Sequence, residues 1–374
     1  RQLIEHLQGK IKLQPLPKEN ILQNLDRAYD VDFADVKGQP VARRALEIAA
    51  AGGHSILMMG APGCGKTMLA RRLVTILPPV TEAEALEITK IYSIVNMLPE
   101  TESVMIERPF RSPHHSVSAS ALLGGGTYPM PGEVTLSHNG VLFLDELPEF
   151  ERYTLEMLRQ PLEDGEVHIS RVRGTMNYPA RFLLIAAGNP CPCGYLGDKF
   201  RRCTCKQKDV ENYRRKISGP LLDRFDMQIN LVRVEYDELK NKATGESSSE
   251  IRKRVVEARN VQLERFAGTG FYCNAQMTRR EVVEYCQLDE AAQKILEKYF
   301  TALHLSARSH DRILKVARTI ADLAGSELIA APHIAEAIQL RTSLNGQYGI
   351  YDSQLRSSSF QNLQSNKFCS LRVQ

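Results

Sequence analysis

Residues 54–76 read HSILMMGAPGCGKTMLARRLVTI: an apolar run, a glycine-rich turn, then a helical pattern. The turn, GAPGCGKT at 60–67, satisfies the spacing G-x-x-x-x-G-K-[ST] and has the required flanks, a strand before it and a helix after it. Glycines at this spacing let backbone N–H groups turn inward around phosphate oxygens. They do so at a helix N-terminus, whose dipole already favours anions. Lys66 is placed to neutralise the β- and γ-phosphates and Thr67 to hold Mg²⁺. Gly60, Ala61, Pro62, Gly63, Cys64, Gly65 and Met68 complete the expected cradle.

Working outward, short apolar or β-branched runs alternate with helical patterns from about Asp35 to Val234, which argues a parallel α/β sheet. The strand candidates are SILMM (55–59), VLFLD (141–145), FLLIAA (182–187) and MQINLV (227–232). VLFLDE is the second half of the chemistry. Four apolar residues bury a central strand, and Asp145 and Glu146 emerge at its C-terminal end, where open α/β sheets bind ligands. Asp145 suits Mg²⁺ coordination and Glu146 suits polarising an attacking water. A helix-capping acidic pair is the plainer reading of the same residues. Asn189, ending FLLIAAGN, is a third polar group at the same edge, placed to hold the water or the γ-phosphate. Together these residues predict an ATPase core that uses ATP and Mg²⁺.

The 374 residues exceed one ordinary domain, and 43% hydrophobic with 25% charged content fits a globular chain with a full core. No apolar run approaches the roughly 18 residues of a membrane span. A formal net charge of +4 is mild and does not by itself imply nucleic acid. Residues 1–33 read as a linker from something upstream, the chain starting at Arg1 rather than Met. Residues 34–235 read as the α/β core and 236–345 as an all-α lid. The stretch TGESSSE (244–250) reads as a linker, and the Ser- and Gln-rich residues 346–374 as a disordered tail. Two alternating runs within 165–182, around Arg173-Gly174, predict a β-hairpin. The clearest helix is 308–324, with Ile313, Leu314, Val316, Ala317, Ile320, Ala321 and Ala324 on one face and Gly325 as the stop.

These residues, in this order, resemble the AAA+ family and its magnesium-chelatase-like branch. DVKGQPVARRALEIAAAGGHSILMMGAPGCGKTMLARRL, RPFRSPHHSVSASALLGGG, PGEVTLSHNGVLFLDELPEF, LRQPLEDGEVHISR and SGPLLDRFD look like the ComM (YifB) group of competence-linked ATPases. The match runs from about residue 33 to 342. The group usually carries an N-terminal domain resembling that of Lon proteases, which the resemblance implies is missing here. It implies that Val36, Gly38 and Gln39 lie against adenine and that Arg224 is an arginine finger. Arg308 aligns with the lid's sensor arginine, with Arg312, one turn away, as the alternative. The hairpin corresponds to the pre-sensor insertion, which in related helicases points into the central channel of a ring. A finger supplied in trans implies a closed ring, most simply a hexamer.

Fold does not choose between the jobs known in this branch. The resemblance favours a cytoplasmic, bacterial DNA translocase that extends heteroduplex by branch migration during natural transformation. A chelatase-type motor acting through partner subunits and a nucleotide-gated DNA-binding scaffold are the rivals. On the hairpin, His168, Arg171, Arg173 and Arg181 are candidate contacts to single-stranded or branched DNA. Arg108, Arg111, His114 and His115 form a second basic group; an ordinary solvated face is the competing reading of both.

One run remains, GNPCPCGYLGDKFRRCTCKQKD at 188–209. Cys191, Cys193, Cys203 and Cys205 form C-x-C-x₉-C-x-C, enough for one tetrahedral zinc site within a candidate zinc loop at 190–209. Unliganded thiols and a redox switch remain open alternatives. Scattered placement of the other four of the eight cysteines argues against a disulfide framework and for a reducing compartment.

Overall fold

Five parallel strands carry the phosphate loop. In chain order the strands are β1 Ile56–Gly60, β2 Phe110–Arg111, β3 Gly124–Gly125, β4 Met130–Pro131, β5 Val141–Leu144, β6 Glu166–Arg171, β7 Gly174–Pro179, β8 Leu183–Gly188 and β9 Met227–Leu231. The main sheet has the order β2-β5-β8-β1-β9, and β3-β4 and β6-β7 are antiparallel pairs. The computed structural model describes residues 29–98, 104–126, 129–171, 174–235, 245–302 and 305–342, with positions 6, 8, 9 and 12. Arg173, most of the expected linker at 1–33 and the expected tail at 346–374 lie outside the described residues.

Why these runs are strands is visible in their burial. Every residue of β1, β5 and β8 is buried, and alternate residues serve opposite faces. Ile56, Met58, Phe143 and Ile185 pack with the helices Pro40–Gly52, Lys66–Ile76, Ser248–Arg265 and Ala307–Leu323. Leu57, Met59, Leu142 and Leu184 pack on the other face with Leu155, Val167 and Phe225. The register aligns Leu57 with Ala186 and Leu142 with Leu184, so the C-terminal ends of β1, β5 and β8 open side by side.

The expected hairpin is present as β6-β7, whose last described pair is Arg171 with Gly174, so Gly174 belongs to β7. Val167, Ile169 and Tyr178 bury one side of it, while His168 and Ser170 face solvent. The expected linker at 244–250 is partly helical. Ser247 caps the helix Ser248–Arg265, and Glu250 returns a bond to the Ser247 backbone in a capping box. Phe33, the last residue of the expected upstream linker, is fully buried in the core and its N–H donates to Ser248 Oγ at 2.8 Å.

After β9, the helices Ser248–Arg265, Arg279–Tyr285, Glu290–Ala302, Ala307–Leu323 and Ala331–Thr342 follow. The apolar face expected on 308–324 is buried except Ala324, which is exposed at the C-terminus just before Gly325 turns at φ +65°. Polar ties dock these helices on the sheet layer. Arg259 donates to the carbonyls of Ala50 and Ala51, Arg341 to Phe225 O at 2.6 Å, and His54 meets Thr319 Oγ1 at 2.7 Å. Among the described residues, no helix is long and apolar enough to cross a membrane.

Candidate nucleotide site and cysteine cluster

Gly63 and Gly65 hold φ of +78° and +92°, the left-handed turn that brings residues 60–67 around into the helix Lys66–Ile76. Lys66 folds over this loop. Its Nζ donates to Gly60 O at 2.7 Å, Ala61 O at 3.1 Å and Asn189 Oδ1 at 3.1 Å. Burial lowers the pKa of this ammonium, and the neighbouring Cys64, Asp145 and Glu146 offset part of that effect. Thr67 Oγ1 donates to Asp145 Oδ2 at 2.6 Å, linking the ends of β1 and β5 although β8 lies between them in the sheet. A hydroxyl and a carboxylate facing each other there are the hard oxygen donors Mg²⁺ takes, so the residues present fit that ion.

Glu146 has φ +53°, a left-handed conformation that non-glycine residues rarely adopt. Its N–H donates to Asp145 Oδ1 at 2.9 Å, which turns its exposed side chain toward the loop after β2. There His115 Nδ1 lies 3.3 Å from Glu146 Oε2. His115 is thus at the strand-end site. Sequence reasoning missed this, and the signal was the short edge strand Phe110–Arg111, which delivers the next residues to the same sheet edge. Gln39 donates to Cys64 O at 3.4 Å and to Val232 O, so the segment with Gly38 lies against the phosphate loop. Val36 is buried in the core cluster that also includes Cys64 of the loop.

Arg224 and Arg308 are elsewhere. Arg224 immediately precedes Phe225 and Asp226 at the N-terminal end of β9, beside Ser55 at the N-terminal end of β1. With Arg181, Arg308, Arg312 and Lys315 it lines a cleft of about 630 Å³ between the sheet layer and the C-terminal helices. The length of β1, on the order of 15 Å for five residues, separates this cleft from the phosphate loop. Arg224 pairs with Glu163, not with either aspartate next to it in sequence. Arg312, the alternative to Arg308, pairs with Asp226 and donates to Arg224 O at 2.8 Å.

The expected basic groups separate. Arg108 is bidentate to Glu84 and also caps carbonyls of Pro78, Pro79 and Asn139, and Arg111 is bidentate to Glu133. Both are held in ion pairs within the fold. His114 bonds Ser116 Oγ at 2.8 Å. His168 bonds Asn177 on the solvent side of the hairpin. Arg181 follows the hairpin and donates to Gly270 O in the cleft, so it does not join His168. The backbone of Arg171 ends β6, and Arg173 lies outside the described residues.

The four cysteines of the candidate zinc loop converge, with sulfur atoms all within 4.8 Å of one another. Sγ–Sγ separations of 3.4, 3.7 and 3.5 Å join Cys191–Cys193, Cys191–Cys203 and Cys193–Cys203. Tetrahedral ligands at about 2.3 Å from one ion would stand about 3.8 Å apart. Burial pushes the Cys191 thiol up to about 12. Burial opposes ionisation at Cys193 too, but the backbone amides of Tyr195 and Thr204 pull it down to about 6. The loop is seated on the phosphate loop: a Cβ on Gly194 would stand 2.6 Å from Pro62 Cδ. Arg233 joins them, donating to Pro62 O and pairing with Asp198 at 3.3 Å.

With this geometry described, similarity to known proteins is informative. Residues 32–239 match the family described as magnesium chelatase, subunit ChlI, and residues 245–341 match its C-terminal region. The chain is 45% identical over 343 residues to competence protein ComM of Haemophilus influenzae, covering 91% of this chain and 66% of that protein. It is 48% identical over 311 residues to protein YifB of Salmonella typhimurium, covering 83% and 60% respectively. A magnesium-chelatase 38 kDa subunit of Rhodobacter capsulatus is 26% identical over 176 residues, covering 42% of this chain and 50% of that one. The chain thus spans slightly less than two thirds of the length of the ComM and YifB relatives.

Proposed function

Because the chain belongs to the magnesium-chelatase subunit ChlI family of AAA+ proteins, with relatives of the ComM/YifB type, we propose that it is an ATP-hydrolysing ring motor that moves on DNA and promotes branch migration in recombination during natural transformation. The family implies ATP and Mg²⁺ as ligand and cofactor.

The observation that carries the catalytic reading is the meeting of Lys66, Asn189, Thr67 and Asp145 at one strand-end edge. In the proposed mechanism the inward N–H groups of residues 60–67 and Lys66 hold the β- and γ-phosphates, with Gly38 and Gln39 on the adenine side. Bound to Thr67 and Asp145, Mg²⁺ would neutralise charge on the phosphate oxygens. Glu146, turned into place by its left-handed backbone and steadied by His115, accepts the proton of the attacking water. Asn189 orients that water or the γ-phosphate. Arg224 and Arg308, a strand's length away, cannot reach the same phosphates. Their position supports action on the nucleotide of a neighbouring copy, hence a ring, with a hexamer as the simplest closed form.

DNA contact is assigned to the hairpin, with His168 on its solvent side; Arg171 and Arg173 are included from the sequence alone. A zinc ion held by Cys191, Cys193, Cys203 and Cys205 is part of the same proposal, as is a cytoplasmic setting. The deciding experiment compares ATP hydrolysis with and without single-stranded and branched DNA, for wild type and Glu146→Gln. Stimulation by DNA that vanishes in the variant supports a DNA motor. Turnover indifferent to DNA sinks that reading in favour of a chelatase-type motor, and DNA binding without turnover favours a nucleotide-gated scaffold.

A further inference from the structure

Two guanidinium groups converge on one oxygen, away from the phosphate loop. Arg224 Nη2 and Arg308 Nη2 each lie 2.7 Å from Oε1 of Glu163. The remainder of Arg224 is fixed: Nε donates to Arg159 O at 3.2 Å and Nη1 to Pro220 O at 2.7 Å. The Arg224 side chain is 4% exposed, whereas those of Glu163 and Arg308 are 39% and 51% exposed. Two cations brought together beside a cationic cleft are stable only with an anion between them. Burial draws the Arg224 guanidinium below its ordinary pKa, and Glu163 works against that shift.

The carboxylate can leave without dismantling this arrangement. Arg224 keeps its two carbonyl anchors when Glu163 departs. Glu163 is the penultimate residue of the short helix Arg159–Asp164, and Gly165 follows at φ +69°. A terminal phosphate offers more charge and more acceptor oxygens to a pair of guanidiniums than one carboxylate does.

We propose that Glu163 is a tethered stand-in for a phosphate. It holds Arg224 and Arg308 at one point in the free protomer and yields them to the terminal phosphate of a nucleoside triphosphate carried by a second copy of this chain. The inference rests on the reading that these arginines act across a subunit boundary. Glu163 is then a positioning residue and an internal competitor, and competition of this kind lowers apparent affinity by the fraction of sites left free.

The test uses Glu163→Gln, which removes the charge and keeps the shape, with Glu163→Asp as the charge-retaining control. Steady-state hydrolysis gives the half-saturating ATP concentration, and mass photometry with a non-hydrolysable ATP analogue gives the concentration for half-assembly. Both are expected to fall in Glu163→Gln by about three- to tenfold, with the change in half-saturation and not in kcat. Glu163→Asp is expected within about twofold of wild type. Arg224→Ala, alone and mixed with Lys66→Ala, reports on the underlying reading. If Glu163→Gln matches wild type or assembles less readily while Arg224→Ala abolishes turnover, the inference about Glu163 is overturned and action in trans stands. A loss of kcat in Glu163→Gln at unchanged half-saturation assigns it a structural role and also overturns the inference. Wild-type turnover in Arg224→Ala overturns the reading itself, and Glu163's role with it.

Discussion

Asp226→Asn is expected to destabilise the chain at neutral pH and to do so less in acid. Asp226 Oδ2 accepts from Ser55 N at 3.0 Å and Ser55 Oγ at 3.2 Å, Oδ1 pairs with Arg312, and His54 Nδ1 lies 3.5 Å away. The side chain is 7% exposed, so this carboxylate joins β1, β9 and the helix Ala307–Leu323 out of reach of water. Removing one partner of a buried ion pair costs about 3–5 kcal/mol. Arg312 keeps Arg224 O at 2.8 Å and is 18% exposed, which places the cost near the lower end, about 3 kcal/mol. At roughly 2–4 °C per kcal/mol the melting temperature falls by roughly 6–12 °C. Burial would raise this carboxyl's pKa, but Arg312, His54 and Lys315 hold it well below the ordinary 3.8. A depressed carboxylate pKa contributes stability in full above the unfolded value, and that stability is lost as pH falls through 3.8 toward the folded value. By pH 3 the wild type has lost about 1 kcal/mol of it, so the gap to Asp226→Asn narrows by that amount. Thermal melts of both proteins at pH 7 and pH 3 measure this. A variant within about 2 °C of wild type at pH 7, or a gap that widens in acid, would refute the reasoning.

Three further outcomes are expected. Zinc released on denaturation, measured with a colorimetric chelator, should be near one ion per chain and be lost in Cys191→Ser with Cys203→Ser; equal metal in both proteins would sink the site. Asn189→Asp places a carboxylate against Lys66 and the incoming phosphate, so kcat/KM for ATP should drop by about a hundredfold or more; a loss under about threefold would show that the amide is not at the reacting phosphate. Glu146→Gly and Glu146→Ala should both lack hydrolysis, yet the glycine variant should be the more stable by about 1 kcal/mol because its φ is positive; the reverse order in thermal melts would contradict a left-handed residue there.

What the sequence makes legible is local. The run 54–76 announces strand, glycine turn and helix through properties of neighbouring residues, and the buried strands around it read as unbroken apolar stretches for the same reason. Ser247 and Glu250 were legible too: their spacing is that of a capping box, obscured by the serines that make the stretch look like a linker. What remains hidden is the pairing of charges across the fold. Arg108 and Arg111 have the same composition-level appearance as a DNA-binding face, yet Glu84 and Glu133 neutralise them from 24 and 22 residues away. Arg224 has Asp223 directly before it and Asp226 two residues after it, and it pairs with Glu163 instead. Periodicity carries no information about such partners, because they are chosen by which loops a parallel sheet delivers to each of its two ends. That division also organises the site. Lys66, Thr67, Asp145, Glu146 and Asn189 gather at one end of the strands and Arg224 with Arg308 at the other. If Arg224 and Arg308 act on a neighbour's nucleotide as proposed, a repeating head-to-tail arrangement is the one that joins each half to its complement.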